Sequence, residues 1–169
     1  MDKNIVRIDA LEKRKNKDNI KSSNKVVSDL INSKILDNHK NIGIYYPIGK
    51  EISLLGLLEH YKDKNFYLPI TRDEISFIKY SLGDNLVDAK FHTKEPIGDI
   101  TKRDSITCFL IPCVAVSNDL KRIGYGKGYY DRYLKGYNGL KIGICYSDCI
   151  YDIELDSYDI KLDLVIKGW

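Results

Sequence analysis

Residues 106–134 read ITCFLIPCVAVSNDLKRIGYGKGYYDRYL, and both the fold and the function of the chain turn on them. The first part, Ile106 to Val116, is almost continuously apolar, the composition of a strand buried on both faces. Toward the other end Tyr130, Tyr133, Leu134 and Tyr137 recur at spacings of three and four, which predicts a helix over 129–137. Between them Gly124, Gly126 and Gly128 take every second position. Glycine weakens strand and helix interiors alike, so a triplet of this kind serves backbone access. Without Cβ atoms the N–H groups can converge into a concave donor cluster that suits phosphate oxygens. Buried strand, loop, glycine turn and helix is the order in which open α/β sheets present a ligand, at the carboxyl ends of strands with an anion at the next helix start. The GxGxG spacing is neither the Rossmann nor the Walker pattern, so the glycines alone fit a tight connection equally well. The charges on Arg122, Lys127 and Asp131 favour a phosphate and metal site.

The chain has 169 residues, enough for one domain (1–169) that buries well over half of its unfolded surface without disulfides. Its net charge of +3 falls far short of the strongly basic balance of a nucleic-acid binder and fits an anionic small molecule. No run approaches membrane-span length, and residues 1–15 lack the apolar centre of a signal peptide, so a cytoplasmic location is expected. Cys108, Cys113, Cys145 and Cys149 form no CxxC pair, and His39, His60 and His92 are scattered. This predicts four small buried thiols and no zinc.

The run KRIGYGKGYYDRYL, preceded by IPCVAV, resembles the signature of the 5-formyltetrahydrofolate cyclo-ligases, also called methenyltetrahydrofolate synthetases. A fourteen-residue pattern of this kind is far more specific than a short glycine motif. The resemblance extends over nearly the whole chain, weakest from 70 to 105, with two departures. Cys113 stands where the family more often has glycine, and Val116-Ser117 replaces a frequent aromatic-aspartate pair.

Residues 3–15 are expected to be helical, with Ile5, Ile8 and Leu11 as the apolar positions. Lys3 and Arg7, four apart, share one side; on residue pattern alone they form a solvated basic face, whereas the resemblance implies that both bind ATP. A second helix should start at Ser22 or Ser23 and carry Val26, Val27, Leu30, Ile31 and Ile35. Residues 41–47 form a strand stopped by Pro47, and Ser53 can cap a helix bearing Leu54, Leu57, Leu58 and Tyr61. Between them Glu51 is a carboxylate at a strand's carboxyl end. It can serve the following helix dipole, or, as the resemblance implies, bind the folate beside Tyr46. Residues 65–69 read as a strand ended by Pro69, 74–80 as a less buried outer strand, and 81–103 as loop. In the segment FHTKEP (91–96), similar to the family's, Glu95 stands between an ordinary surface turn and a place at the substrate mouth; His92 is given no chemistry. Strands follow at 140–146 and 162–166, separated by an acidic stretch that ends near Asp159.

Several phosphate donors and a carboxylate pair for a hard cation suit phosphoryl transfer. The resemblance implies ATP as co-substrate, held by Lys3, Arg7 and residues Arg122, Ile123, Gly124, Tyr125, Gly126, Lys127, Gly128, Tyr129 and Tyr130. It further implies Lys127, Arg122 and Tyr130 as the catalytic set, and Mg2+ on Asp131 and Asp159. The folate would meet Tyr46, Glu51, Glu95 and the loop from Tyr125 through Gly126, Lys127 and Gly128 to Tyr129. The alternation of helices and apolar strands predicts a three-layer α/β/α fold with a mostly parallel sheet. The resemblance implies the fold of sugar-phosphate isomerases and coenzyme A transferases. A monomer acting on small molecules, without nucleic acid or membrane, is expected. A single-strand nucleic-acid binder and a non-catalytic phosphate-ligand module stand as alternatives.

Overall fold

The computed structural model describes the backbone of residues 1–169 and every side chain except that of Phe91. In chain order the elements are α1 (Lys3–Arg14), α2 (Asn19–Ser33), β1 (Asn41–Gly43), α3 (Gly56–His60), β2 (Asn65–Thr71), β3 (Ile75–Tyr80), β4 (Leu86–Asp88), β5 (Lys94–Pro96) and β6 (Ile100–Thr101). After these come β7 (Cys108–Pro112), β8 (Ala115–Ser117), β9 (Arg122–Ile123), α4 (Tyr129–Tyr133), β10 (Leu140–Cys145), β11 (Ile150–Tyr151) and β12 (Leu164–Lys167). Seven strands form the main sheet in the order β12-β10-β7-β1-β2-β3-β6. The strands from β12 to β2 run parallel, and β3 and β6 are added antiparallel at one side. The fold is therefore α/β with a mostly parallel sheet, as the alternation of elements predicts.

The apolar run 106–116 is one strand in expectation and two in the structure. β7 pairs with β1 and β10 up to Pro112. Cys113 N–H still reaches the Ile144 carbonyl (3.0 Å), but Val114 N–H turns to Ile123 (2.9 Å), and β8 joins a second sheet ordered β11-β8-β9. Residues 113–117 remain buried throughout the change of partner. An apolar run records burial, and burial continues here although the strand does not.

β7 is covered by aromatic rings. Phe109 packs against Phe77, Tyr133 and Tyr137 with centroids 4.9, 5.7 and 5.1 Å away, so the tyrosines at helical spacing do face the core. The expected helix 129–137 closes after five residues, at Tyr133; Gly136 (φ +74°) turns the chain, and Tyr137 reaches the cluster from the loop. Phe109 requires the space in front of Gly43 in neighbouring β1, where a Cβ would come within 2.5 Å of the ring Cε1.

Other boundaries differ from expectation for local reasons. In α1 the buried positions are Val6, Ala10 and Arg14, while Ile5 (58%) and Ile8 (69%) are exposed. The stripe 3-7-10-14 is equally helical, and it carries the charged residues inward. Asp18 caps α2 by accepting from Lys21 N–H (3.0 Å). Ser22 and Ser23 lie inside that helix, where their hydroxyls accept from Trp169 N–H (3.0 Å) and Ser53 N–H (2.8 Å). α3 starts at Gly56, and just ahead of it the Ser53 hydroxyl accepts the Leu55 N–H (3.3 Å).

Strand β2 runs through Pro69 to Thr71. Asn65 and Tyr67 bond toward β1, so Pro69, two further on, points its missing N–H to the same side, beyond the last β1 pairing at Gly43. β3 is an inner strand between β2 and β6, more buried than expected. The segment 81–103 holds the β4–β5 hairpin and β6. No helix is long and apolar enough to cross a membrane among the described residues.

Gly43→Ala is expected to lower stability by about 1–3 kcal/mol, the usual cost of an added methyl in a filled core. Urea unfolding of the variant beside the parent measures it; an unchanged midpoint would show that the Phe109 ring yields.

Candidate active site

A cavity of about 1060 Å³ opens at the carboxyl edge of the parallel strands. Tyr45 and Tyr46 beyond β1, Thr71 at the end of β2 and Pro112 at the end of β7 all line it. β9 leads from the second sheet directly into the glycine turn, which forms another wall.

The base of that wall is Arg122. Its guanidinium is buried, donates through Nε to the Pro112 carbonyl (2.8 Å) and lies 4.7 Å from the centre of the Tyr130 ring. A Cβ on Gly124 would fall 2.5 Å from the same guanidinium, so glycine is required there by close approach. Gly126 (φ +96°) and Gly128 (φ +70°) are required for another reason, a left-handed backbone. Arg7 reaches over from α1 and donates through Nε to the Gly124 carbonyl (2.6 Å). Lys127 stands exposed in the turn and lines the cavity. Because α4 has only five residues, an anion placed here would meet the turn and these cations more than a helix dipole.

Lys3 and Arg7 do project from one side of α1 into the cavity. Lys3 Nζ lies 2.8 Å from Asp159 Oδ2 and 3.2 Å from Asp156 Oδ2. Desolvation pulls the Lys3 ammonium down, but the hydrogen bonds and charges of the two aspartates outweigh it and hold the group above its usual range. Asp131 accepts the Ile160 N–H (3.0 Å), so its carboxylate and that of Asp159 flank one peptide at the cavity wall. Among the described residues no third acid, histidine or cysteine joins them in a cluster able to hold a metal. A cation placed there takes its remaining oxygens from a phosphate or water, the habit of magnesium.

Other parts of the lining are less charged. Tyr46, Pro69, Ile75 and Tyr125 offer flat apolar surface, and Glu51 provides a carboxylate. Glu51 sits deeper than a rim position: it is buried, accepts the Ile48 N–H (2.8 Å) and lies 3.5 Å from the Tyr125 hydroxyl. Burial pushes its carboxyl above the usual range, against the Ile48 hydrogen bond and the charges of Arg14 and Arg122. Glu95 is also buried and lines the cavity, so it belongs to no surface turn. It accepts Thr71 N–H (2.8 Å) and Arg72 Nη1 (2.8 Å). The Arg72 carbonyl in turn accepts the Tyr129 hydroxyl (3.1 Å), so this chain of contacts ties the β2–β3 connection to the glycine turn.

Tyr130 lies buried under Arg122, and burial pushes its hydroxyl far up, which suits a platform for the guanidinium more than a proton donor. Sequence reasoning passed over Arg14, buried at the end of α1, although it continues the spacing of Lys3, Arg7 and Ala10. It missed Arg72 too, whose contacts cross sheet and loop and leave no local signal. No serine, cysteine or histidine lines the cavity among the described residues. All four cysteines are buried, and desolvation pushes Cys108 up to about 12 and Cys113 to about 11. Covalent catalysis by a thiolate has no support here. The cavity thus combines cationic side chains with tyrosine rings and a buried carboxylate.

The sequence pattern of the 5-formyltetrahydrofolate cyclo-ligase family matches residues 2–168. A 5-formyltetrahydrofolate cyclo-ligase of Mycoplasma pneumoniae is 35% identical over 180 residues, covering 99% of each chain. A solved 5,10-methenyltetrahydrofolate synthetase from Mycoplasma pneumoniae superposes with a TM-score of 0.79 at 31% identity, over 98% of both chains. The Aquifex aeolicus 5,10-methenyltetrahydrofolate synthetase does so with a TM-score of 0.85 at 32% identity, over 99% of this chain and 90% of that one. With the glycine turn, its cations and the buried Glu51 gathered around one cavity, these similarities have one meaning: the chain belongs to the 5-formyltetrahydrofolate cyclo-ligase family.

Proposed function

We propose that this chain joins ATP and 5-formyltetrahydrofolate in the one cavity and closes the folate to 5,10-methenyltetrahydrofolate, with ADP and phosphate as the other products. The observation that carries the proposal is that the Arg122–Lys127 turn and the buried Glu51 line one and the same cavity of about 1060 Å³. A formyl group on nitrogen is a poor electrophile. Attack of its oxygen on the γ-phosphorus breaks the bond to the β-phosphate bridge and releases ADP. The neighbouring nitrogen then closes on the activated carbon and loses its proton, and the carbon–oxygen bond breaks to free phosphate.

Lys3, Arg7, Arg122 and Lys127 are placed to neutralise phosphate charge, and the N–H groups of the glycine turn to hold phosphate oxygens, which is most of what phosphoryl transfer needs from a protein. Asp131 and Asp159 are the residues that would hold magnesium, which supplies further neutralisation of the phosphates when bound. Lys3 now occupies Asp159 and would pass to a phosphate as the cation arrives. Glu51 accepts hydrogen bonds from the pterin N–H groups, with Tyr46 and Tyr125 as flat walls and Glu95 holding the mouth through Arg72. All the residues assigned here line one cavity of a single chain, which supports a monomer acting on small molecules.

Mixing the protein with ATP, magnesium and 5-formyltetrahydrofolate should produce the methenyl-folate absorbance, and leaving out ATP should abolish it. No absorbance change from folded protein would reject the proposal in favour of a non-catalytic phosphate-ligand module. Lys127→Ala should weaken ATP binding and lower activity more than tenfold with the melting temperature kept, since a charge-assisted phosphate contact is worth about 2 kcal/mol. Unchanged ATP affinity and turnover would remove Lys127 from the site.

Asp131→Asn keeps an oxygen for the Ile160 N–H and loses the charge that a hard cation needs. Near-normal melting with a large rate loss, partly recovered by added magnesium, is expected; normal turnover at limiting magnesium would make Asp131 purely structural.

Burial of Glu51 for the substrate has a cost that pH reveals. Its folded pKa is raised, so the folded state holds the proton more tightly than the unfolded chain, and its contribution to stability improves as pH falls through the raised value toward about 4.3. Relative to Glu51→Gln, the parent should therefore gain stability in urea titrations as pH is lowered from 7 to about 4.5. A constant or shrinking difference would show that Arg14 and Arg122 compensate the burial fully.

A further inference from the structure

Arg14 is charged, buried and outside the cavity wall, an arrangement that packing alone does not explain. Its Nη2 donates to the Tyr125 hydroxyl, and its guanidinium carbon stands 5.5 Å from the centre of the Tyr125 ring. That hydroxyl is also the one 3.5 Å from Glu51 Oε2. Tyr125 needs such an anchor. It lies between Gly124 and Gly126 in a turn without helix or strand, and its residue surface is 43% exposed. Seven residues earlier on the same helix, Arg7 holds the backbone of that turn at Gly124. Two turns of helix separate the two arginines by about 10 Å, so α1 grips the loop once by its main chain and once by a side chain.

Resting on the function proposed above, we infer that Arg14 is a positioning residue for the folate. It fixes the Tyr125 ring and, through the hydroxyl, the Glu51 carboxylate in the arrangement that receives the pterin. It touches neither substrate. Through it, the helix that carries Lys3 and Arg7 to the nucleotide also organises the folate wall, and both substrates are set against one rigid element. Glu51 is faced by charged or titratable groups from several elements. These are Arg14 on α1, Tyr45 beyond β1, Cys113 after β7, Arg122 on β9, Tyr125 in the turn, Tyr130 on α4 and Tyr146 after β10. Of the two arginines among them, Arg122 lines the cavity and Arg14 stands behind it.

The test is steady-state kinetics on Arg14→Met, Arg14→Lys, Tyr125→Phe and the double variant Arg14→Met/Tyr125→Phe, with melting temperatures alongside. Arg14→Met should raise KM for 5-formyltetrahydrofolate at least tenfold while KM for ATP stays within about twofold, and Arg14→Lys should fall between it and the parent. The double variant should be no worse than the poorer single variant, because both break one contact. Partial unfolding alone would lower apparent kcat and leave both KM values in place. An unchanged folate KM in Arg14→Met, or additive losses in the double variant, would overturn the inference.

A ligand-free measurement separates this from the functional proposal. In tyrosine-labelled protein the ring-carbon resonance of Tyr125, assigned by its loss in Tyr125→Phe, should shift in Arg14→Met while that of distant Tyr61 stays. A Tyr125 resonance that does not move rejects the anchor even if the enzyme is active. A clear shift without any ATP-dependent turnover keeps the anchor and rejects the reaction.

Discussion

A single buried cation organises the carboxyl edge of the sheet. Arg122 is held through Nε by the end of β7 at Pro112, its own backbone N–H bonds the Ile160 carbonyl (3.0 Å), and its guanidinium lies over Tyr130. A guanidinium removed from water is costly unless its donors are met and its charge is used. These contacts offset much of that cost, and the open side of the group faces the cavity, where an anion can complete it. Gly124 follows from the same group, because the guanidinium fills the volume that a side chain would take. The glycine turn is thus shaped from below by a charge.

The switch of sheets after Pro112 delivers this arginine. Had residues 106–116 continued as one strand, the loop that follows would leave the main sheet at its far end. Instead β8 pairs with β9 and β11 beside the edge, and β9 carries Arg122 and Ile123 straight into the turn. Parallel strands need long crossovers, and this one spends its length on a small sheet that serves as the arm of the site. The short α4 then returns the chain to the core through Tyr130, Tyr133 and Tyr137, so the exposed turn is pinned at both ends by buried residues.

Around that arm the cavity divides by chemistry. Lys3, Arg7, Arg122 and Lys127 bring positive charge to its lining, while Tyr46, Tyr125 and Glu51 bring rings and a carboxylate. In a low-dielectric cavity each fixed charge acts more strongly than in water, and each left unsatisfied costs more. Glu51 is the clearest case, since burial raises its pKa while Arg14 and Arg122 act to lower it. Stability given up at one carboxylate is consistent with a site shaped for its ligand.

Much of this was legible in the residues. The apolar run at 106–116, the glycine triplet and the tyrosines after it specify a buried strand, a bare turn and a return to the core, because composition and spacing carry burial and backbone freedom directly. Lys3 and Arg7 could be placed on one side of a helix by their separation alone. What the spacing did not show is which side of α1 turns inward. Ile5 and Ile8 promise a core face that the structure leaves exposed, because Val6, Ala10 and Arg14 pack inward and Lys3 and Arg7 reach the cavity from the opposite stripe. The change of strand partner after Pro112, the cap of α2 at Asp18 and the depth of Glu51 and Glu95 were likewise settled only by the fold. Each depends on a partner distant in sequence, and hydrogen bonds and packing between distant segments leave no period in the chain that forms them.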